Sequence, residues 1–516
     1  MNGAQALINT LVDSGVDVCF ANPGTSEMHF VAALDSVPQI RGVLGLFEGV
    51  ATGAADGYAR ISGRPAAVLL HLGPGLGNGL ANLHNARRAR VPMVVIVGDH
   101  ATYHKKYDAP LESDIDALAG SVSGWLHRSA GTAGVAADAA QAVAASRAGA
   151  QIATLILPAD VSWSEGAEPA GELPTRVPAA DPALAPEVAE VLRSGEPTTI
   201  LLGGDATRRP GLAAATRIAQ ATGARLLCET FPTRLERGAG VPAIDRLAYF
   251  GEAALAQLDG AKHLVLAGAK SPVSFFAYPD KPSDLVPPGC EVHVLAENNG
   301  AADALITLAD ELAPGTVAPV AELSRPQLPA GALTAVSVAD VVGALMPDNA
   351  IVVDESNTSS LPLAAATTGA PAHDWLTLTG GAIGYGIPAA VGAAVAAPDR
   401  PVLCLESDGS AMYTISGLWT QAREGLDVTT VIYNNAAYDI LRLELQRVGV
   451  GAEPGPKALD LLDLSRPTMD FVKIAEGMGV PARRATTVEE FVDALRTAFA
   501  EPGPHLIDAV VPSILG

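Results

Sequence analysis

The chain alternates short apolar runs with longer stretches of helical periodicity, and this alternation limits the possible fold more than any other feature. Near the N-terminus, "AQALINTLVDSG" has the apolar spacing of an amphipathic helix, whereas "VDVCFANPG" and "VPMVVIVGD" are typical of buried strands that end in turns. Strands that alternate with helices predict parallel sheets with helices on both faces. The alternation continues along the chain, so we predict an α/β fold throughout.

Two segments rich in proline and alanine interrupt this pattern. They span 166–186 and about 315–332, lack periodicity and carry many turn formers, as linkers do. Domains usually have about 100–200 residues, and this chain has 516. We therefore predict three doubly wound parallel-sheet domains, over 1–165, 186–314 and 333–516. The first and third share a rhythm, without a strict short repeat.

The composition excludes several classes of protein. Hydrophobic residues make up 49% of the chain and charged residues 17%, which is typical of a globular protein. The formal charge of −23 would repel nucleic acids and anionic membranes, so we expect neither as a partner. The four cysteines lack CxxC spacing, which argues against disulfides and a cysteine zinc site. Because no secretory signal is visible, we expect a cytoplasmic protein.

One segment, 375–398, contains no charged side chain, and uncharged stretches of this length are candidates for membrane spans. Its content is largely glycine, alanine and threonine, and Pro388 interrupts it. Such a segment is only weakly hydrophobic, so we expect a buried glycine-rich turn and helix instead.

Two acids follow an apolar run in the C-terminal third. The strand predicted over 401–405 is followed by Glu406 and Asp408, and Asn434 and Asn435 come one crossover helix and one returning strand later. Ligands bind at the carboxyl ends of parallel strands, so we expect Asp408 and the asparagines to lie close together. Side chains alternate along a strand, which points Glu406 away from Asp408, and we interpret Glu406 as structural.

This cluster has the chemistry of a magnesium–diphosphate site. A carboxylate from Asp408, an amide oxygen and a loop carbonyl form a hard oxygen shell that suits Mg²⁺, which often binds phosphate oxygens as well. Gly409 lets the backbone approach an anion, and the helix that opens at Ser410 and Ala411 points free N–H groups towards it. The alternative is that Asp408 caps a helix and the asparagines form a turn.

These motifs resemble those of the thiamine-diphosphate enzymes. Asp408-Gly409 followed by Asn434-Asn435 is similar to the metal-binding motif of that family, with Ser407 where the family usually has glycine. The segment "LFEGVATGAADGYAR" resembles the family's cofactor-activating glutamate segment, and "GGAIGYGIPAAVGAA" resembles the segment packed under the cofactor. The resemblance covers the whole chain and extends to acetolactate synthase catalytic subunits and benzoylformate decarboxylase.

The resemblance implies thiamine diphosphate and Mg²⁺ as cofactors and assigns residues to them. It implies that Glu48 pairs with the pyrimidine ring, that Ile383 supports the folded cofactor and that the Gly381 carbonyl accepts from its amino group. The implied diphosphate-binding residues are Asn357, Thr358, Gly409, Ser410 and Ala411, and the implied metal ligands are Asp408, Asn435 and the Ala437 carbonyl. It also implies a homodimer or homotetramer with shared active sites. Whether FAD binds stays open, because no flavin contacts can be placed.

Three further positions bear on the reaction. His71 aligns with a substrate-facing histidine of benzoylformate decarboxylase, although a lone histidine is often structural, and Thr25 aligns with a substrate-binding serine. A second catalytic histidine of that enzyme corresponds here to Ala277. Losing this proton donor would slow aldehyde release and favour attack on a second carbonyl compound.

The resemblance therefore implies decarboxylation of a pyruvate-like 2-oxo acid with carboligation, as in branched-chain amino acid biosynthesis. Two alternatives stay open. One is a decarboxylase of the benzoylformate decarboxylase type that releases an aldehyde. The other is a non-catalytic relative that binds the cofactor. The sequence names neither the oxo acid nor the acceptor.

Overall fold

The chain forms three parallel sheets covered by helices, which confirms the predicted α/β class with three parallel-sheet domains. The structure is a computed structural model, and it describes residues 1–175, 181, 183–297, 299–449 and 454–514. The predicted linker over 166–186 therefore includes positions outside the described residues.

The N-terminal sheet has six strands in the order β2-β1-β3-β4-β6-β5. The strands are β1 Val18–Asn22, β2 Arg41–Leu44, β3 Ala66–Leu70, β4 Met93–Asp99, β5 Trp125–Arg128 and β6 Ile152–Pro158. The helices are α1 Gly3–Asp13, α2 Met28–Leu34, α3 Glu48–Ser62, α4 Leu72–Ala89, α5 Ile115–Gly120, α6 Val135–Gly149 and α7 Ala159–Trp163. Strands β3, β4 and β6 are buried along their whole length, which explains their continuous apolar runs.

The central segment contributes six strands to two sheets. The strands are β7 Thr198–Leu202, β8 Arg225–Cys228, β9 Leu235–Arg237, β10 Asp245–Arg246, β11 His263–Ala267 and β12 Glu291–Ala296. The helices are α8 Leu184–Arg193, α9 Arg209–Thr222, α10 Gly251–Leu258 and α11 Ala301–Leu312. Five of the strands form the central sheet in the order β10-β8-β7-β11-β12, and β9 leaves it.

The C-terminal sheet has the order β17-β18-β16-β15-β13-β14-β9. Its own strands are β13 Ile351–Glu355, β14 His373–Thr377, β15 Val402–Ser407, β16 Val428–Asn434, β17 Ala482–Ala485 and β18 His505–Val510. The helices are α12 Ala335–Leu345, α13 Leu363–Ala366, α14 Gly386–Ala396, α15 Asp408–Ala411, α16 Gly417–Glu424, α17 Asp439–Arg447, α18 Pro456–Asp460, α19 Phe471–Gly477 and α20 Val488–Ala500.

Strand β9 is an antiparallel addition that the sequence analysis did not anticipate. It pairs with β14, with Leu235 opposite Trp375 and Arg237 opposite His373. A strand of three residues is too short to show the alternation that identifies strands in a sequence. The central segment thus covers one edge of the C-terminal sheet.

The N-terminal and C-terminal sheets have the same topology. When the strands of each domain are numbered in chain order, both sheets have the order 2-1-3-4-6-5, apart from the added β9. This duplication accounts for the shared rhythm in the sequence. The direction of winding reverses between β1 and β3 in one sheet and between β13 and β15 in the other, and ligands of doubly wound sheets bind at such points.

Helices α3 and α14 follow the second strand of their respective sheets, and they pack against each other between the two domains. Their backbones touch: a β-carbon at Gly57 would lie 2.1 Å from the Ala389 carbonyl oxygen, and one at Gly392 would lie 1.8 Å from that of Ala54. Only glycine fits at these two positions. The largest apolar cluster of the described residues surrounds this contact.

The uncharged segment 375–398 takes the course expected for a buried turn and helix. It contains the end of β14, a glycine-rich loop and α14, which has 11 residues. Within the described part of the chain, no helix combines the length and the apolar character needed to cross a bilayer.

Candidate active site

Asp408 and Asn435 follow the carboxyl ends of neighbouring strands, because β15 pairs in parallel with β16. The Asp408 side chain is buried, and its carboxylate accepts the backbone N–H groups of Gly409 and Ala436, each at 2.7 Å. Burial raises the pKa of Asp408 to about 6, although these backbone hydrogen bonds oppose the shift. A desolvated carboxylate in this position would gain strongly from a cation.

The side chain of Asn435 is held in one orientation by Asp439, which the sequence analysis did not identify. Asn435 Nδ2 donates to Asp439 Oδ2 at 3.0 Å, and Asn435 Oδ1 accepts the Ala437 N–H at 3.1 Å. A carboxylate can only accept, so the Asn435 oxygen must face away from Asp439. Asp439 is itself buried, and its carboxylate accepts two further hydrogen bonds, from Ser513 Oγ at 2.8 Å and from the Ile514 N–H at 3.0 Å.

The residues at this edge fit Mg²⁺. Asp408 offers a carboxylate, Asn435 an amide oxygen and the buried Ala437 a backbone carbonyl, and oxygen donors of this kind are the ligands that Mg²⁺ prefers. The loop between Asn435 and Ala437 turns sharply at Ala436, which has a φ of 53°. The structure thus brings the three predicted metal ligands to one short edge of the sheet.

A cluster of neutral hydrogen-bonding side chains lies beside this edge. Asn357 Nδ2 donates to Ser407 Oγ at 2.7 Å and to Ser410 Oγ at 3.1 Å, and the two serine hydroxyls are 2.7 Å apart. Asn357 opens a short 3₁₀ helix, Asn357–Ser360, with a φ of 51°, and Thr358 is half-buried in the same turn. Ser407, the departure from the family motif, therefore adds a hydroxyl to the predicted diphosphate site.

Gly409 lies where the backbone needs a residue without a side chain. A β-carbon there would lie 2.3 Å from the ring of Tyr438. Gly409 and Ala411 are both buried in α15. The Tyr438 ring is one reason for glycine at this position, and a close approach of the backbone to a bound group stays a prediction.

The loop before α14 carries Gly381 and Ile383. Gly381 has a φ of 73°, and the Phe275 ring of the central segment lies 2.7 Å from where its β-carbon would be. Ile383 is half-buried and packs on the large apolar cluster. The Glu355 carboxylate holds the end of this loop, since it accepts three successive N–H groups at 2.7, 2.7 and 2.5 Å, from Gly384 to Gly386.

Glu355 and Glu406 form a buried carboxyl pair beneath this loop. Burial and the charge of Glu355 raise the pKa of Glu406 well above its ordinary value. Burial also raises the pKa of Glu355, to about 7, although three backbone N–H groups oppose the shift. Of the two carboxyl groups, Glu406 therefore holds a proton more tightly. This arrangement supports the interpretation of Glu406 as structural.

Glu48 is the first residue of α3 and follows β2 at the corresponding edge of the N-terminal sheet. Its carboxylate accepts from Asn78 Nδ2 at 2.9 Å, and a β-carbon at Gly75 would lie 3.3 Å from Glu48 Oε1. The N-terminus of α3 favours a negative charge at this position. Asn78, on the exposed side of α4, is a second residue that the sequence analysis missed.

His71 and Thr25 lie at the reversal point of the N-terminal sheet. His71 directly follows β3 and precedes α4, and its Nδ1 lies 2.8 Å from Glu27 Oε2 and 3.2 Å from Ser26 Oγ. Glu27 is buried and can only accept, so Nδ1 carries the hydrogen and Nε2 is left for proton exchange. The ring also covers Gly24, where a β-carbon would lie 2.4 Å from it. Thr25 is exposed beside this group.

The structure places the predicted site residues in two groups, which we call half-sites. Asp408, Asn435 and Ala437 lie together in the C-terminal domain. In the N-terminal domain, Glu48 and His71 both lie close to Gly75, in the first turn of α4. Among the described residues, the hydrogen bond of the Glu48 carboxylate stays within its own domain. No hydrogen bond among the described residues joins Glu48 to Asp408 or Asn435.

The duplicated sheets, with an oxygen-rich edge on one and a glutamate-led helix on the other, define a thiamine-diphosphate-dependent enzyme. The family model "Thiamine pyrophosphate enzyme, N-terminal TPP binding domain" matches residues 1–120, and the corresponding C-terminal TPP binding domain matches residues 360–509. The chain belongs to the thiamine pyrophosphate enzyme family, which confirms the resemblance seen in the sequence.

Individual relatives agree with this assignment. The chain is 81% identical to a Mycobacterium tuberculosis protein described as "Putative acetolactate synthase large subunit IlvX", with 100% of both chains covered. It is 33% identical to benzoylformate decarboxylase from Pseudomonas aeruginosa, with 97% of both covered. The solved structure of the thiamine diphosphate-dependent 4-hydroxybenzoylformate decarboxylase of Rhodococcus jostii RHA1 matches with a TM-score of 0.86 at 26% identity, over 99% of both chains.

Proposed function

We propose that this enzyme uses thiamine diphosphate and Mg²⁺ to decarboxylate a pyruvate-like 2-oxo acid and to join the remaining acyl unit to a second carbonyl compound. The observation that carries the proposal is the edge where Asp408, Asn435 and Ala437 present oxygen ligands beside the Asn357–Ser410 cluster. The name of the 81% identical relative supports carboligation, as does Ala277 in place of a histidine.

Each half-site has its own task in this proposal. Asp408, Asn435 and the Ala437 carbonyl bind Mg²⁺, and the Asn357–Ser410 cluster with Thr358 binds the diphosphate. When bound, thiamine diphosphate supplies a carbon nucleophile for the substrate carbonyl. The Glu48 carboxylate binds the pyrimidine ring nitrogen, where a partly desolvated acid pairs strongly. His71 exchanges a proton with the substrate at Nε2, while Glu27 fixes the tautomer through Nδ1.

The active site of this proposal needs two chains. Large apolar side chains are exposed near both half-sites: Met28 and Leu46 in the N-terminal domain, and Leu361, Met412 and Tyr413 in the C-terminal domain. Exposed apolar groups around a polar centre are typical of protein interfaces. We propose a homodimer, or a tetramer built from it, in which Glu48 of one chain meets the metal site of the other. A cytoplasmic location stays a prediction.

Product analysis tests the proposal. Purified protein is incubated with thiamine diphosphate and Mg²⁺ and offered pyruvate, 2-oxobutyrate and benzoylformate in turn. We expect an acetohydroxy acid from pyruvate, and no turnover when the cofactor is omitted. Glu48→Gln should keep cofactor binding but lose at least about 100-fold in turnover. If no oxo acid is consumed although the cofactor binds, the chain is a non-catalytic relative.

A cluster of aromatic side chains favours a second candidate, a decarboxylase that releases an aldehyde from an aromatic 2-oxo acid. The Phe275 ring, which covers Gly381, lies 5.9 Å from Phe231, 5.2 Å from Tyr249 and 5.0 Å from Phe276. Such rings suit an aromatic substrate side chain. Consumption of benzoylformate with release of benzaldehyde, in preference to pyruvate, would select this candidate. Phe275→Ala should then weaken that preference.

A further inference from the structure

Two histidines of the central domain face each other at the edge of its sheet, far along the chain from either half-site. His263 lies on β11, and Glu291 and His293 lie on the neighbouring β12, with His263 opposite Glu291. Nδ1 of His263 lies 3.1 Å from Nε2 of His293. Both imidazoles are largely buried, with 12% and 9% of the side chain exposed, whereas Glu291 is 73% exposed.

Each ring has a carboxylate on its outer nitrogen. Glu196 Oε2 lies 3.1 Å from His263 Nε2, and Glu187 Oε1 lies 3.0 Å from His293 Nδ1. A carboxylate can only accept, so both outer nitrogens carry hydrogens. In neutral rings the two inner nitrogens then both present lone pairs, only 3.1 Å apart. This arrangement needs a cation between the rings, either a shared proton or a metal ion.

Glu291 supplies a third ligand atom on the same side. Its Oε2 lies 3.8 Å from His263 Nδ1 and 4.0 Å from His293 Nε2. These two distances and the distance between the two nitrogens define a triangle. The point equidistant from its three corners lies about 2.1 Å from each atom, which matches the usual Zn–N and Zn–O lengths of about 2.0–2.2 Å. Three ligand atoms already surround a space of the correct size for one ion.

We propose that His263, Glu291 and His293 bind a divalent transition-metal ion of the zinc type. Two imidazoles and one carboxylate suit such an ion better than Mg²⁺, which prefers oxygen ligands. Glu196 and Glu187 orient the rings, as carboxylates behind metal-binding histidines do, and their charges compensate the ion. The site lies in the central sheet, and it does not depend on the proposed function.

Metal titration of the full-length protein tests this site. Excess Mg²⁺ is added first to occupy oxygen-rich sites, and Co²⁺ and Zn²⁺ are then titrated with visible spectroscopy and calorimetry. We expect one ion per chain, with the visible bands of low-coordinate Co²⁺ bound to nitrogen. Glu291→Gln should lower the affinity for Co²⁺ and Zn²⁺ at least tenfold. Glu187→Gln should also lower it at least tenfold, which is about the factor that residues orienting a metal ligand contribute. His263→Asn combined with His293→Gln should abolish binding.

The matched control is His104→Gln, which changes one of another close histidine pair, His100 and His104, whose ring centres are 5.3 Å apart. This variant should leave the titration unchanged. Because Glu291 is exposed, its replacement should preserve the fold, which thermal melting can verify. Absence of stoichiometric binding in the wild type, or equal binding by wild type and Glu291→Gln, would overturn the proposal. The first result would assign a shared proton to the gap between the rings.

Discussion

Asp56 and Arg60 form a bidentate ion pair from which solvent is completely excluded. Arg60 Nε donates to Asp56 Oδ1 at 2.8 Å, and Arg60 Nη2 donates to Asp56 Oδ2 at 2.7 Å. The remaining guanidinium nitrogen, Nη1, donates to the Thr377 carbonyl at 2.7 Å and to the Thr233 carbonyl at 3.2 Å. The pair therefore joins α3 to both the central segment and the C-terminal sheet.

Removing one member of this pair should destabilise the protein strongly. Asp56→Asn leaves a buried guanidinium without its counter-charge, and we expect a loss of about 3–5 kcal/mol in the free energy of unfolding. Denaturant titration measures the loss. Asp310→Asn breaks the exposed pair with Arg217 and is the control, for which we expect about 1 kcal/mol or less. Equal effects of the two replacements would contradict the prediction.

Two inactive variants should restore activity when mixed, if the active site is shared between chains. Glu48→Gln damages one half-site and Asn435→Ala the other. In a mixed dimer, one of the two sites has both changes and the other has neither. After subunit exchange we expect about a quarter of wild-type turnover, from random pairing of the chains. Continued inactivity of a mixture in which native mass spectrometry detects mixed dimers would rule out a shared site.

Asp439→Asn should weaken Mg²⁺ binding. The new amide can offer its own NH₂ group to Asn435, which allows the Asn435 side chain to flip and withdraw its oxygen. Loss of such an orienting contact usually lowers metal affinity about 10–100-fold. Mg²⁺-dependent binding of thiamine diphosphate, followed by calorimetry, measures the change. The control is Asp460→Asn, an exposed acid paired with Arg466, which should bind as the wild type does.

The stability of the central domain should depend on the protonation of Glu229. Burial raises the pKa of this carboxyl to about 7. The folded state therefore binds the proton more tightly than the unfolded state, and stability is lost as the pH rises from about 4.5 to 7. Glu229→Gln stays neutral, so it should match the wild type at pH ~4.5 and be more stable by about 1–3 kcal/mol at pH ~8.

Unfolding at both pH values checks this prediction. Glu168→Gln, at an exposed position, is the control and should shift stability equally at the two pH values. A Glu229→Gln variant that is less stable than the wild type at the higher pH would show that the carboxyl is ionised and paired in the folded protein.

The sequence predicts the features of this fold that have local signals. Continuous apolar strands and intervening helical periodicity indicated the α/β class and three sheets. The polar strand ends predicted that Asp408 and Asn435 lie close together, and these residues do follow neighbouring strands. Glu27 was missed because its role depends on His71, which is 44 positions away. Asp439 contacts Asn435 only four positions away, but it is itself held by Ser513, which is 74 positions away. No local pattern records such partners, since each arises only when the sheet assembles.

The position of β9 determines how the chain can be shortened. This strand belongs to the middle of the sequence but completes the C-terminal sheet through β14. A fragment that begins at residue 333 would leave β14 as an open edge, and open edges recruit strands from other molecules. We therefore expect such a fragment to aggregate on expression, and a truncated protein for crystallisation should retain residues 235–237.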